Sequence, residues 1–180
     1  MIKLPFKKFV AFVIAMFVLF TIPIYTIALN TNTLKDGTEY YFKIEAYDPY
    51  DMLRGNYLQI AFKENSVSSY YDYLDLNYND KCYVTIAVGN DNYAYFNSIS
   101  KEAPTNTSAY YETTGYYATY SNSYIIETPT RYYMNENKSL AAENYLNENM
   151  DNAYVKVRVK NGKMVLVGLY VNNMLIDTID

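Results

Sequence analysis

Residues 9–29 read FVAFVIAMFVLFTIPIYTIAL, 21 consecutive positions without a charge. At about 1.5 Å of helical rise per residue, such a stretch reaches across a hydrocarbon layer of about 30 Å. Phe9, Phe12, Phe17 and Phe20 spread its apolar character around the whole helix, leaving no face for water. The segment therefore predicts a transmembrane anchor over residues 9–29, with the lipid bilayer as its partner and residues 1–8 as a short leading end. Pro23 removes one backbone hydrogen bond, which predicts a kink rather than a break. Two other readings stay open. A cleaved signal peptide could use the small residues near Thr26-Ile27-Ala28, leaving a chain that begins near Leu29, although a signal h-region is usually about 7–15 residues. A core helix buried in a domain is the third reading.

The flanks of this segment differ in charge. Lys3, Lys7 and Lys8 precede it, whereas Asn30-Thr31-Asn32-Thr33 follow it, so the positive-inside rule predicts a cytoplasmic N-terminus and extracytoplasmic residues 30–180. All 19 acidic residues and 12 of the 15 basic ones lie beyond position 30, giving that part a formal charge of −7. Its lysines and arginines are dispersed among Asp and Glu, the opposite of a phosphate-neutralising surface, so no nucleic-acid partner is expected. The absence of His removes Ser-His-Asp and Cys-His catalysis and every zinc site that needs imidazole. The single Cys82 cannot form an internal disulfide. In KCYVTIAV, alternation puts it on an apolar face with Val84, Ile86 and Val88.

Residues 30–37 (NTNTLKDG) read as a polar linker, and residues 38–180 as one domain with period-2 patterning. Tyr40, Phe42 and Ile44 form one alternating set, Leu58, Ile60 and Phe62 a second, and Val155, Val157 and Val159 a third. Asn161-Gly162, between Val-rich runs, predicts a type I′ hairpin, and Asn172-Asn173 a second tight return. Residues 139–149 space Ala142 and Leu146, with Met150 beyond, as a short amphipathic helix that Ser139 would cap. Residues 110–124 are rich in Tyr, Thr and Ser and read as strand. The fold class expected is mainly β: an antiparallel β-sheet domain with one short helix, preceded by a single N-terminal transmembrane helix.

The densest motif is residues 48–62, DPYDMLRGNYLQIAF. Asp48 can form a side-chain turn, Pro49 fixes φ, and Gly55 permits a positive φ before a strand starts at Asn56. Asp51 and Arg54 are spaced to pair across the bend. The six candidate binding residues are therefore Asp48, Asp51, Arg54, Gly55, Asn56 and Tyr57, with a purely bracing role for the charges as the plainer reading. This stretch resembles the GDYXXLXY family, whose Gly-Asp-Tyr-x-x-Leu-x-Tyr signature follows an Asp-Pro-x-Asp-x-x-Arg approach. Arg131-Tyr132-Tyr133-Met134-Asn135-Glu136 is similar to a later Tyr/Phe-rich segment of that family, ahead of a helix and a terminal hairpin. The resemblance spans most of residues 5–176. It implies a membrane-anchored bacterial envelope protein and a polytopic membrane protein as partner, and no particular activity. Three positions depart from the signature: Asn56 for Asp, Ile60 for Leu and Phe62 for Tyr. An amide at 56 cannot act as an acid or base at neutral pH, whereas a structural turn tolerates it.

Other chemistry is thinly marked. A Ser-Lys hydrolase would need a serine near the membrane and a lysine of lowered pKa, and Ser66 and Lys81 are the pair available. Residues 75–80 begin like a calcium loop, but Asp80 stands where the loop needs Gly and Ile86 where it needs Glu, so no metal site is expected. No catalytic residue and no cofactor are assigned. The 24 tyrosines include pairs at 40–41, 70–71, 110–111, 116–117 and 132–133, each of which places one ring on each sheet face. A contiguous patch of such rings would suit a protein interface or a glycan. The functional expectation is a non-catalytic interaction or accessory module for an integral membrane partner, with the hydrolase and a glycan-binding module as alternatives.

Overall fold

The computed structural model describes residues 6–46, 57–68 and 74–179. Helix α1 (Phe6–Asp36) runs through Pro23 without interruption and is long and apolar enough to cross a membrane. Its polar side chains need no lipid-incompatible contacts, because the Thr21 and Thr26 hydroxyls donate to the carbonyls of Phe17 and Ile22, four residues back. From Phe6 to Leu29 its apolar side chains are exposed, Phe17 at 73%, so the buried-core reading of this segment is overturned. Residues 30–36, read as a linker, continue the helix. Thr31 and Thr33 bond back to Ile27 and Leu29 in the same manner, and the helix end is held by the domain.

The domain contains β1 (Thr38–Ala46), β2 (Tyr57–Phe62), β3 (Ser66–Ser68), β4 (Asp80–Val88), β5 (Ala94–Ser100), β6 (Tyr110–Ala118), β7 (Ser123–Ile126) and β8 (Arg131–Tyr133). Helix α2 (Glu136–Glu148), β9 (Ala153–Lys160), β10 (Lys163–Val171) and β11 (Met174–Leu175) complete it. The strands form two sheets, a six-stranded one in the order β11-β10-β9-β1-β2-β8 and a five-stranded one in the order β3-β7-β6-β4-β5. All strand pairings are antiparallel among the described residues. The sheets pack face to face, because each strand's apolar set has only the other sheet as shelter from water. Phe42 and Phe62 of the first sheet meet Phe96 of the second, with ring centroids 5.0, 5.1 and 6.4 Å apart, and Val155, Val157 and Val159 are buried beside them. Cys82 is fully buried in this core, which pushes its thiol up to about 11, while Val88 at the end of β4 lies beyond the core and is exposed.

The two Asn-containing turns form as expected, with φ of 50° and 78° at Asn161 and Gly162 and 50° and 65° at Asn172 and Asn173. Two expectations are corrected. Residues 110–124 are not one strand: β6 and β7 pair as a hairpin around a turn that ends at Asn122, φ 50°. Helix α2 starts earlier than its apolar spacing suggested. Asn135 caps it by accepting the Asn137 N–H at 3.0 Å, while Ser139 is buried inside and donates to Glu136 O at 2.6 Å. Ala142 and Leu146 are fully buried, and Met150 falls in a following 3₁₀ turn.

Candidate functional site

Strand β9 organises the exposed face of the six-stranded sheet. Its valines point into the core, so alternation sends Tyr154, Lys156, Arg158 and Lys160 outward. At the end nearest α1 these cations grip the helix. Lys160 Nζ lies 2.8 Å from Asp36 Oδ2 and 3.2 Å from Asn32 Oδ1. Arg158 donates from Nη1 to the carbonyls of Leu34 and Lys35 and from Nη2 to Glu39 Oε1 at 2.6 Å. Cations at the carbonyl end of a helix match its dipole and satisfy its unpaired acceptors. Gly37 permits the close approach: a Cβ there would stand 2.4 Å from Thr33 O and 3.0 Å from Arg158 Cβ. The Arg158 and Lys156 hydrogen bonds hold the Glu39 carboxyl below its ordinary range, and Lys160 does the same for Asp36.

Further along β9 the face becomes aromatic. Tyr154 stacks on Tyr170 of β10, centroids 5.3 Å apart and planes 5° from parallel, and meets Tyr41 and Tyr93 edge-on at 5.9 and 5.7 Å. These rings come from β9, β10, β1 and the residue just before β5, so the cluster joins the two sheets. Lys43 Nζ lies 4.7 Å from the Tyr93 ring centre and 2.7 Å from Asp91, and Lys156 lies 5.9 Å from the Tyr41 centre. Gly168 makes room for the stack, because a Cβ there would stand 2.9 Å from the Tyr170 ring. A shallow cavity of about 300 Å³ opens beside Tyr41, Tyr93, Tyr154 and Asn173. Burial, with the neighbouring phenols, raises the Tyr154 pKa, keeping its proton on, and its hydroxyl donates to Asn173 Oδ1 at 3.2 Å. Hydrogen bonding with Asp91 raises Lys43, and the same bond lowers Asp91.

Of the six residues singled out in the motif, Asp48, Asp51, Arg54, Gly55 and Asn56 lie outside the described residues. Tyr57 is half-buried at the start of β2, 5.6 Å from the Tyr133 ring and with the Arg131 guanidinium 5.2 Å from its centre. The rest of the signature is structural: Leu58, Ile60 and Phe62 are fully buried. Ser66 and Lys81 do not meet, since β7 and β6 separate their strands and three strand spacings are about 14 Å. Lys81 is exposed and paired with Glu112 at 2.7 Å, which raises its pKa, away from the value a base would need. Among the described residues no group of His, Cys, Asp and Glu gathers as metal ligands.

Two tyrosine pairs divide by exposure, with Tyr132 buried and Tyr133 exposed and Tyr41 more exposed than Tyr40, whereas both members of the pairs 110–111 and 116–117 are half-buried. Tyr93, Tyr154, Tyr170 and Asn173 were not foreseen as one surface. Tyr154 and Tyr170 flank the Asn161-Gly162 turn, a usable signal, but a bulge between Leu166 and Gly168 shifts the register by one and hides the pairing.

The sequence matches the family model described as GDYXXLXY protein over residues 19–169. The match begins within α1 and ends in β10. No curated protein and no solved structure matches the chain.

Proposed function

The chain belongs to the GDYXXLXY family, and on that footing we propose that it is a non-catalytic contact module anchored in a bacterial envelope membrane by an uncleaved α1. Its N-terminus is cytoplasmic, residues 30–180 are extracytoplasmic, and its partner is a polytopic integral membrane protein that docks on the tyrosine cluster. The observation that carries this reading is the contiguous face of β9, which joins the helix grip at Lys160 to the aromatic cluster at Tyr154. From Lys160 to Tyr154 is about 20 Å along the strand, a reach suited to the outer loops of a neighbouring membrane protein. Tyrosine rings held by one another lose little freedom on contact, and mixed apolar and hydroxyl surface is typical of interface anchors.

The ionisable groups of this face support a non-catalytic role. Asp36, Glu39 and Asp91 are shifted down, and Lys43 and Lys156 up, so each holds its charge more firmly than in water. A general acid or base needs the opposite tendency. A glycan would require open ring faces, whereas Tyr154 already stacks on Tyr170 and lysines sit over Tyr93 and Tyr41.

Photo-crosslinking tests the proposal. Benzoylphenylalanine placed at Tyr41 or Tyr154 in the membrane-bound chain should trap one integral membrane protein, and at Tyr120, an exposed turn residue, it should not. A chain that traps nothing at Tyr41 and Tyr154, and leaves mild detergent alone, would overturn the docking role.

A further inference from the structure

Between the last turns of α1 and the β9–β10 turn lies a cavity of about 470 Å³ that the tyrosine face does not use. Leu29 and Asn32 line it from the helix, Lys160 and Lys163 from the turn, and Tyr111 and Glu112 from β6. Leu29 is the last residue of the apolar stretch, before the polar Asn30-Thr31-Asn32-Thr33, and Asn32 lies within one turn of it, so in a membrane-spanning helix the cavity stands at the headgroup level.

Its charge is unusual for this domain. Lys160 and Lys163 are direct cross-strand partners across a type I′ turn, and like charges so placed repel. Asp36 and Asn32 relieve Lys160, whereas Lys163 has no ion-pair partner among the described residues. Glu112 does not supply one, because its carboxylate is 2.7 Å from Lys81. The Gly162 carbonyl is taken as well, accepting the Glu112 N–H at 2.7 Å, so the backbone of the turn is tied to β6. An anion between the two ammonium groups would remove the repulsion, and Leu29 beside them offers an apolar wall. A domain otherwise rich in carboxylates thus presents Lys163, beside the Asp36-paired Lys160, at the level where a bilayer around α1 would present phosphates.

We propose that this cavity binds the phosphodiester headgroup of an anionic phospholipid in the surrounding leaflet, its phosphate between Lys160 and Lys163 and its glycerol end toward Leu29. The proposal rests on the reading of α1 as a membrane span.

The full chain, reconstituted in nanodiscs of mixed phosphatidylglycerol and phosphatidylcholine, should retain phosphatidylglycerol on extraction and native mass spectrometry. Lys163→Gln should lower that retention by about fivefold, the worth of one lysine at an anionic surface. Lys163→Arg should restore it, and Lys101→Gln, in an exposed loop, should not change it. Equal retention of the two lipids, or retention unmoved by Lys163→Gln, overturns the site. So does displacement of the lipid by millimolar inorganic phosphate alone, which would mark a general anion hole. A chain released from membranes by alkaline carbonate would instead overturn the anchor, and the site with it, whereas a chain that stays embedded without lipid preference refutes the site only.

Discussion

Glu39 and Arg158 face each other directly across β1 and β9, and the guanidinium that binds the Glu39 carboxylate at 2.6 Å also reaches the carbonyls that end α1. One side chain thereby joins the sheet to the helix. The carboxyls of this junction, Glu39 and Asp36, are both held below their ordinary values by their cations. Their contribution is therefore complete above the ordinary carboxylate range of about 4 and is lost as pH falls through the lowered values. Hydrogen exchange of the Gly37 amide, which donates to Thr33 O, should lose protection in that acid window before the β9 valines do. Glu39→Gln should abolish most of the pH step and cost the domain about 1 kcal/mol, as partly exposed pairs do. Protection that does not vary with pH would show that the grip contributes nothing.

Gly37→Ala puts a Cβ 2.4 Å from the Thr33 carbonyl oxygen, a distance no such contact tolerates, and 3.0 Å from Arg158 Cβ, a tight one. The helix end must shift. The expected result is a folded domain whose helix is no longer held at a fixed angle, seen as broadened distances between spin labels at Thr31 and Lys101. Unchanged distances would mean that the backbone absorbs the methyl group locally.

Gly168→Ala should act on the tyrosine cluster from beneath. The added methyl group meets Tyr170 and Leu175 within about 3 Å, so Tyr170 leaves its stack on Tyr154. Crosslinking from Tyr154 should fall several-fold while the thermal midpoint drops by only a few degrees, in line with a loss of about 1 kcal/mol. A large stability loss with crosslinking intact would place the stack in the fold rather than at a contact.

Phe62 occupies the position where the family signature has Tyr. It is fully buried between Phe42 and Phe96, so Phe62→Tyr must bury a hydroxyl and should cost about 1–3 kcal/mol. Phe62→Ala leaves a void and should cost about 3–5 kcal/mol. Denaturant midpoints decide both, and a neutral tyrosine would reveal a polar partner reachable from position 62.

Strands with strict alternation were legible in the residues, as the Phe42, Leu58 and Val155 sets show, because burial on one face selects apolar side chains at every second position. The two Asn turns were legible for a related reason: few residues accept the positive φ that they require. The helix extension past Leu29 was not, since Asn30 to Thr33 are poor helix formers and that end is held by tertiary contacts, among them those of Arg158 and Lys160 and the burial of Thr33. The cap of α2 was missed because Ser139 looked like a start signal while its hydroxyl turned back into the helix. The division into two sheets was beyond pattern reading, because it depends on which strands pair. The tyrosine cluster depends on that division, since Tyr93 belongs to neither β1 nor β9 and arrives only when the sheets face each other. The second part of the motif was legible as core strand, as its alternation implied, and Tyr57 sits under Arg131 of the edge strand β8.

If α1 spans a bilayer as proposed, the bonds of Arg158 and Lys160 to its last turn pass its inclination in the lipid on to the domain. A thinner bilayer makes a long helix lean further, and each 10° of lean carries a point about 20 Å away sideways by about 3.5 Å. That is most of the width of one aromatic ring. On that reading the thickness of the surrounding lipid is a steering variable for where the tyrosines point, and the same molecule in two membranes would present the same face in two directions.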